Sequence, residues 1–169
     1  MSNYKLLESD NNSIFVTVTT TDMKPILIDN ISLLKTAIIK SKQNYNYDFV
    51  AGVILPDHFH MIIKPAPIED ASKIISNIKQ YFTHNLDDSY KPADKIVWQK
   101  GYSGNKINSQ NDLMKYLDYI HYNPVKHACA NKPRDWQYSS FKKFVMVNLY
   151  DENWTCADDI NKIKDLDLG

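Results

Sequence analysis

Two strand-like runs stand almost back to back: YDFVAGVIL at 47–55 and HFHMIIK at 58–64, separated only by Pro56 and Asp57. Two residues cannot carry a crossover connection, so these runs can pair only as an antiparallel hairpin. The flanking segments extend the pattern. SIFVTVTTT at 13–21 is β-branched and reads as a strand. ISLLKTAIIKSKQ, with Asp29 or Asn30 as its cap, reads as a helix with Leu34, Ala37, Ile38 and Ser41 on one face. A second helix is predicted at 69–85, with Ile74, Ile75, Ile78, Tyr81 and Phe82 as its apolar stripe. A short strand is expected at KIVWQ. The order β-α-β-β-α-β predicts an α+β fold: a ferredoxin-like, RNA-recognition-type antiparallel sheet with its helices on one face.

The remainder is helical in pattern. Asn111 or Asp112 can start a helix through LMKYLDYIHY, and the spacing predicts a break at Asn123 and Pro124. PVKHACA then opens a further short helix with Pro124 at its first position. Trp136, Tyr138 and Phe141 are expected to pack the next segment onto the body. With 169 residues and 43% hydrophobic content, residues 1–150 are read as a single domain and 151–169 as an acidic tail. No apolar run is long enough to span a membrane. The opening MSNYKLLESD lacks a signal-peptide layout, and Cys129 and Cys156 lack metal or disulfide spacing. A cytoplasmic protein is therefore expected.

Formal net charge is zero, which taken alone speaks against a nucleic-acid partner. The distribution changes that. The last nineteen residues hold six acids against two lysines, so residues 1–150 carry four more basic than acidic side chains. Binding through so small an excess must lean on specific contacts and weaken with salt. Arg134 is the sole arginine, which leaves almost no bidentate guanidinium readout of guanine.

Two constellations carry possible chemistry. On a strand, His58 and His60 project to one face while Phe59 and Met61 face the other. Two imidazoles so placed can share a divalent ion, although for such a pair taken alone two surface or hydrogen-bonded histidines on a hairpin are the more ordinary reading. Position 62 is Ile, so the pattern is not that of a histidine-triad hydrolase. On the later helix, Leu113, Leu117, Ile120 and His121 form the inward stripe, with Tyr119 and Asn123 off it, one turn apart. They can face a common site. From periodicity alone the more ordinary reading is that Tyr119 is one more packing tyrosine among eleven and Asn123 an N-cap before Pro124.

Three segments decide between these readings. VILPDHFHMIIKP resembles the metal-binding histidine–apolar–histidine (HUH) segment of the IS200-type single-tyrosine transposases. YLDYIHYNPVKHACANKPRDWQYSSF resembles that family's nucleophile helix, and its core DYIHYNPVKH is characteristic of the REP-associated branch. WQKGYSGNKI between them resembles the family's connecting segment. The resemblance runs over about 15–144. It departs from the family pattern at Asn105, where a ring is usual, and at Ala128 and Cys129, where a glycine-containing turn is usual.

The resemblance implies a ferredoxin-like sheet with an added C-terminal helix bearing Tyr119 as nucleophile. It implies His58, His60 and Asn123 as ligands of Mg²⁺ or Mn²⁺, and a 5′-phosphotyrosine intermediate. It implies single-stranded, hairpin-forming repetitive DNA as partner and substrate, and a monomer rather than the dimer found among other IS200-type enzymes. The competing class is a non-catalytic single-strand-binding module on the same sheet, stacking bases on Tyr45, Tyr47 and Phe49. A replication initiator of the same chemistry needs further domains, for which 169 residues leave little room.

Overall fold

The structure, a computed structural model, describes residues 12–155; Cys156 and most of the acidic tail lie outside the described residues. Four strands form one sheet in the order β2-β3-β1-β4: β1 (Ser13–Thr19), β2 (Tyr47–Ile54), β3 (His58–Pro65) and β4 (Ser103–Ile107). Every neighbouring pair is antiparallel. The expected hairpin is β2–β3. Among the described residues four α-helices complete the fold: α1 (Ile31–Asn44), α2 (Ala71–Asn85), α3 (Gln110–Lys126) and α4 (Phe141–Met146). β1-α1-β2 with β3 inserted between, followed by α2 and β4, is the ferredoxin-like arrangement the sequence predicts.

Alternation along the strands builds two cores. Val16, Val18, Phe59, Met61 and Ile63 meet Leu34 and Ala37 of α1 and Ile74, Ile78 and Phe82 of α2. Phe15, Ile62, Ala51 and Val53 meet Leu113, Leu117, Tyr119 and Ile120 of α3, with Phe141 and Phe144 of α4. A register shift between Phe49 and Ala51 lets Val50 join this second core. The sheet is thus the middle of three layers, and all eight residues of β3 are buried. An open sheet face, which a base-stacking module needs, is missing from the described residues. Tyr47 is buried, with its hydroxyl 2.6 Å from that of Ser41, and Phe49 packs in the α1/α2 core.

Three local expectations need correction. The fourth strand is SGNKI, not KIVWQ. Val97 and Trp98 instead sink into the α1/α2 core, and their segment touches the end of β1 through one bridge, Thr20 to Trp98. β4 buries only Ile107, so its sequence has no apolar alternation to read. At α1, Asn30 occupies the cap position but turns its amide back onto the Ile26 carbonyl at 2.8 Å. α3 begins earlier than expected, where the Ser109 hydroxyl accepts from the Asp112 N–H at 3.0 Å, and it does not break at Pro124. Proline in the last turn forfeits one ladder bond and leaves little helix beyond to disrupt. Asn123 therefore sits inside a helix and is not an N-cap. Past Lys126 the chain turns through Ala128 at φ 58°, a left-handed conformation usually left to glycine.

After α3 the chain returns along the outer edge of β2. Ile54 N–H donates to the Tyr138 carbonyl at 2.8 Å, Ser140 N–H to the Gly52 carbonyl at 2.9 Å, and the Trp136 indole to the Ile54 carbonyl at 2.9 Å. His121 locks this segment to α3: its Nε2 lies 2.8 Å from Ser140 Oγ, and its ring sits among Phe141, Phe144 and Tyr150.

Burial pushes the His121 imidazole down to about 3. A histidine in the unfolded chain titrates near ~6.5, so between these values the unfolded chain binds the extra proton. Stability contributed by neutral His121 is therefore present above that range and drains as pH falls through it, by up to roughly 1.4 kcal/mol per pH unit. His60 adds a slope of the same sign. Urea unfolding from about pH 7 to about pH 4 should show a falling midpoint, and His121→Gln should flatten the decline. An equal decline in that variant would remove His121 from the account.

Candidate metal and nucleophile site

The register of the central strands sets the site. Thr17 of β1 lies opposite His60 of β3, and Thr19 opposite His58, so both histidines point to the α3 face. Their ring centroids are 4.9 Å apart at 80°. Each Nδ1 is engaged. Asp57 Oδ1 lies 2.6 Å from that of His58, and Thr17 Oγ1 lies 2.8 Å from that of His60. A carboxylate can only accept, so neutral His58 carries its proton on Nδ1 and presents a lone pair on Nε2. Neither Nε2 has a hydrogen-bond partner, although both are buried.

α3 brings Tyr119 and Asn123 over this pair. The Tyr119 ring lies edge-on to His60, centroids 5.3 Å apart, and against Phe15 at 5.8 Å. The Asn123 amide lies against His60 and favours its protonated form, yet neither Asn123 side-chain atom completes a hydrogen bond. Burial, and then His58, His127 and Lys126, nonetheless hold the His60 imidazole well below the ordinary histidine value. The four residues singled out from sequence are thus gathered in one place. One expectation about them is corrected: Tyr119 and Asn123 are not beside the inward stripe but are themselves wholly buried. The sheet reaches round α3 far enough to cover a second stripe of the helix.

Two further side chains belong to the site, and sequence reasoning missed both. The exposed Lys126 places its ammonium 3.3 Å from the Tyr119 hydroxyl and 4.9 Å from the ring centroid. His127 sets its ring edge-on to His58 at 4.9 Å, and burial, then His58, keep it below the ordinary value. Their signal was present in the KH that follows NPV. It becomes positional only once α3 is known to run through Pro124.

The donor set fits a divalent ion. Two imidazole lone pairs and an amide oxygen stand unused in one buried place. The other nitrogens of the histidines are held by a carboxylate and a hydroxyl, as metal-bound histidines usually are. Among the described residues no group of three or more His, Cys, Asp or Glu is arranged to hold a metal. The Asn123 amide is the further side-chain donor beside the two histidines.

The profile of the family described as "Transposase IS200 like" matches residues 11–123. The chain belongs to the IS200-like single-tyrosine transposase family. Within that family it stands with the REP-associated tyrosine transposases. It is 33% identical over 174 residues to one assigned to them from Haemophilus influenzae, covering 97% of this chain and 98% of that one. It is 31% identical over 156 residues to another from Escherichia coli K12, covering 91% of each. A solved structure of a REP-associated tyrosine transposase bound to a REP hairpin superposes with a TM-score of 0.76 at 30% identity, over 87% of both chains. The antiparallel α+β fold of this transposase-family member is shared with that structure. No helix among the described residues is long and apolar enough to cross a membrane.

An unpartnered buried amide destabilises the fold that carries it by about 1–3 kcal/mol. Asn123→Leu, which keeps the number of side-chain heavy atoms, should therefore raise the urea midpoint of the metal-free protein, by about 1 kcal/mol in stability. A lower midpoint would show that the amide is bonded in solution.

Proposed function

We propose that this chain is a metal-dependent single-strand DNA endonuclease and strand transferase acting on hairpin-forming repetitive DNA, with Tyr119 as nucleophile. The observation that carries the reading is the cluster of unused buried donors, His58 Nε2, His60 Nε2 and the Asn123 amide, against the Tyr119 ring. The hairpin bound by the structural relative supports the choice of substrate.

His58, His60 and Asn123 would hold Mg²⁺ or Mn²⁺, which would supply positive charge to a phosphodiester at the site. Imidazole nitrogens are softer than Mg²⁺ prefers, so the donor set suits Mn²⁺ well. Asp57 and Thr17 hold the imidazoles in orientation. The Tyr119 oxygen attacks phosphorus, its proton passing to water. The bond to the 3′-oxygen breaks, leaving a 3′-hydroxyl on one strand and a 5′-phosphotyrosine on the protein. The new ester conserves the energy of the old one. Another 3′-hydroxyl can therefore reverse the step and join strands without ATP. Tyr119 has no accessible surface, so its oxygen meets a phosphate only if side chains packed around it, Lys126 among them, move aside. All four residues come from one chain, and the proposal requires no second copy.

Incubation of the protein with an end-labelled single-stranded hairpin and Mn²⁺ should give a covalent adduct, mapped by mass spectrometry to the peptide containing Tyr119. Tyr119→Phe should bind the hairpin and form none, and cleavage and rejoining should vanish together. His58→Ala with His60→Ala should lose the metal-dependent adduct and the stabilisation that Mn²⁺ gives the folded protein. An active Tyr119→Phe variant, or an adduct on Tyr116 or Tyr122, would overturn the assignment.

A further inference from the structure

We infer that Lys126 is a second catalytic residue, which holds the Tyr119 oxygen while that oxygen exchanges its proton for phosphorus; the inference rests on Tyr119 being the nucleophile. The lysine begins one turn beyond Asn123, at the C-terminal end of α3. Its side chain folds back over the helix. The ammonium lies 3.3 Å from the Tyr119 hydroxyl and 4.9 Å from the ring centroid, so charge and hydrogen bond fall on the same group. Among the described acids, none is paired with it in an ion pair. The position is otherwise costly for an anion. The C-terminal end of a helix carries partial negative charge, and an incoming phosphodiester would meet the last carbonyls of α3. A cation placed there offsets that repulsion.

The atoms balance simply. An ammonium has three N–H donors. One donates to the Tyr119 oxygen and follows it through the reaction. The phenol proton leaves to water, the oxygen–phosphorus bond forms, and the 3′-oxygen departs and takes a proton from water. In the rejoining direction the same oxygen leaves as a phenolate, and Lys126 again carries the opposing charge. Lys126 itself is charged before and after the step. Its effect should therefore fall on the rate of the chemical step in both directions and not on hairpin affinity.

The test uses Lys126→Met, which keeps the packing stem, and Lys126→Arg, which restores charge and donors. At saturating hairpin and Mn²⁺, Lys126→Met should lower the rates of adduct formation and of rejoining by roughly 10²-fold, the scale for losing one donor to a developing oxyanion. Hairpin Kd should be unchanged within about 3-fold, and Lys126→Arg should recover part of the rate. A 10-fold or greater loss of affinity with an unchanged saturated rate would overturn the proposal and make Lys126 a phosphate anchor. A second measurement needs no activity. In protein labelled at tyrosine Cζ with ¹³C, the resonance that Tyr119→Phe removes should shift in Lys126→Met and stay in place in Lys115→Met. An unmoved resonance would overturn the contact. An inactive wild type that shows the shift would instead fault the nucleophile reading, so the two failures are told apart.

Discussion

The sheet is covered by helices on both faces, and β3 runs through its middle with no residue exposed. Every polar atom on that strand must therefore find a partner inside the protein. Thr17 and Asp57 supply partners for one nitrogen of each histidine, and nothing supplies the other. Asn123 enters from the opposite layer with both side-chain atoms also unused. Each such atom carries a penalty of about 1–3 kcal/mol. Several in one place is a load that folding alone gives no reason to keep. The same burial makes the site chemically useful. It keeps His60 neutral and lets a nearby fixed charge act with less screening than at an open surface.

Much of this was legible in the sequence because it rests on spacing. The two-residue gap at Pro56 and Asp57 forces the hairpin, and strand alternation forces His58 and His60 onto one face. Other features were hidden because burial and chain path, not periodicity, determine them. The pattern at KIVWQ is that of a strand, yet its apolar residues are used to cap a core, while the polar SGNKI pairs with β1 because an edge strand needs little burial. Pro124 reads as a helix end, and would be one earlier in a helix. In the last turn it is tolerated, and that single difference carries Lys126 and His127 to the site. Ala128 shows the same limit. Its left-handed turn is the conformation for which glycine is usual; the resemblance marks a turn at this place, but periodicity does not show that alanine adopts that conformation.

The second helical layer also separates this fold from sheet-surface nucleic-acid binders. There, aromatic side chains on a bare sheet stack against bases. Here the corresponding face is closed by α3, and the aromatic side chains beneath it, Phe15 and Tyr119, pack on imidazoles. The sheet's contribution is to hold a small set of polar atoms in a fixed relation beneath α3. The near balance of acids and bases limits the long-range attraction that charge alone can give any polyanion.

Thr17, His60 and Asn123 stand far apart along the chain and meet only after α3 has docked, and α3 is held in turn by His121 on Ser140. As the polypeptide leaves the ribosome, the two histidines emerge early, bare and without a roof. The centre is thus a product of tertiary folding alone: a chain in which α3 comes off the sheet keeps both histidines on β3 and loses the donor cluster.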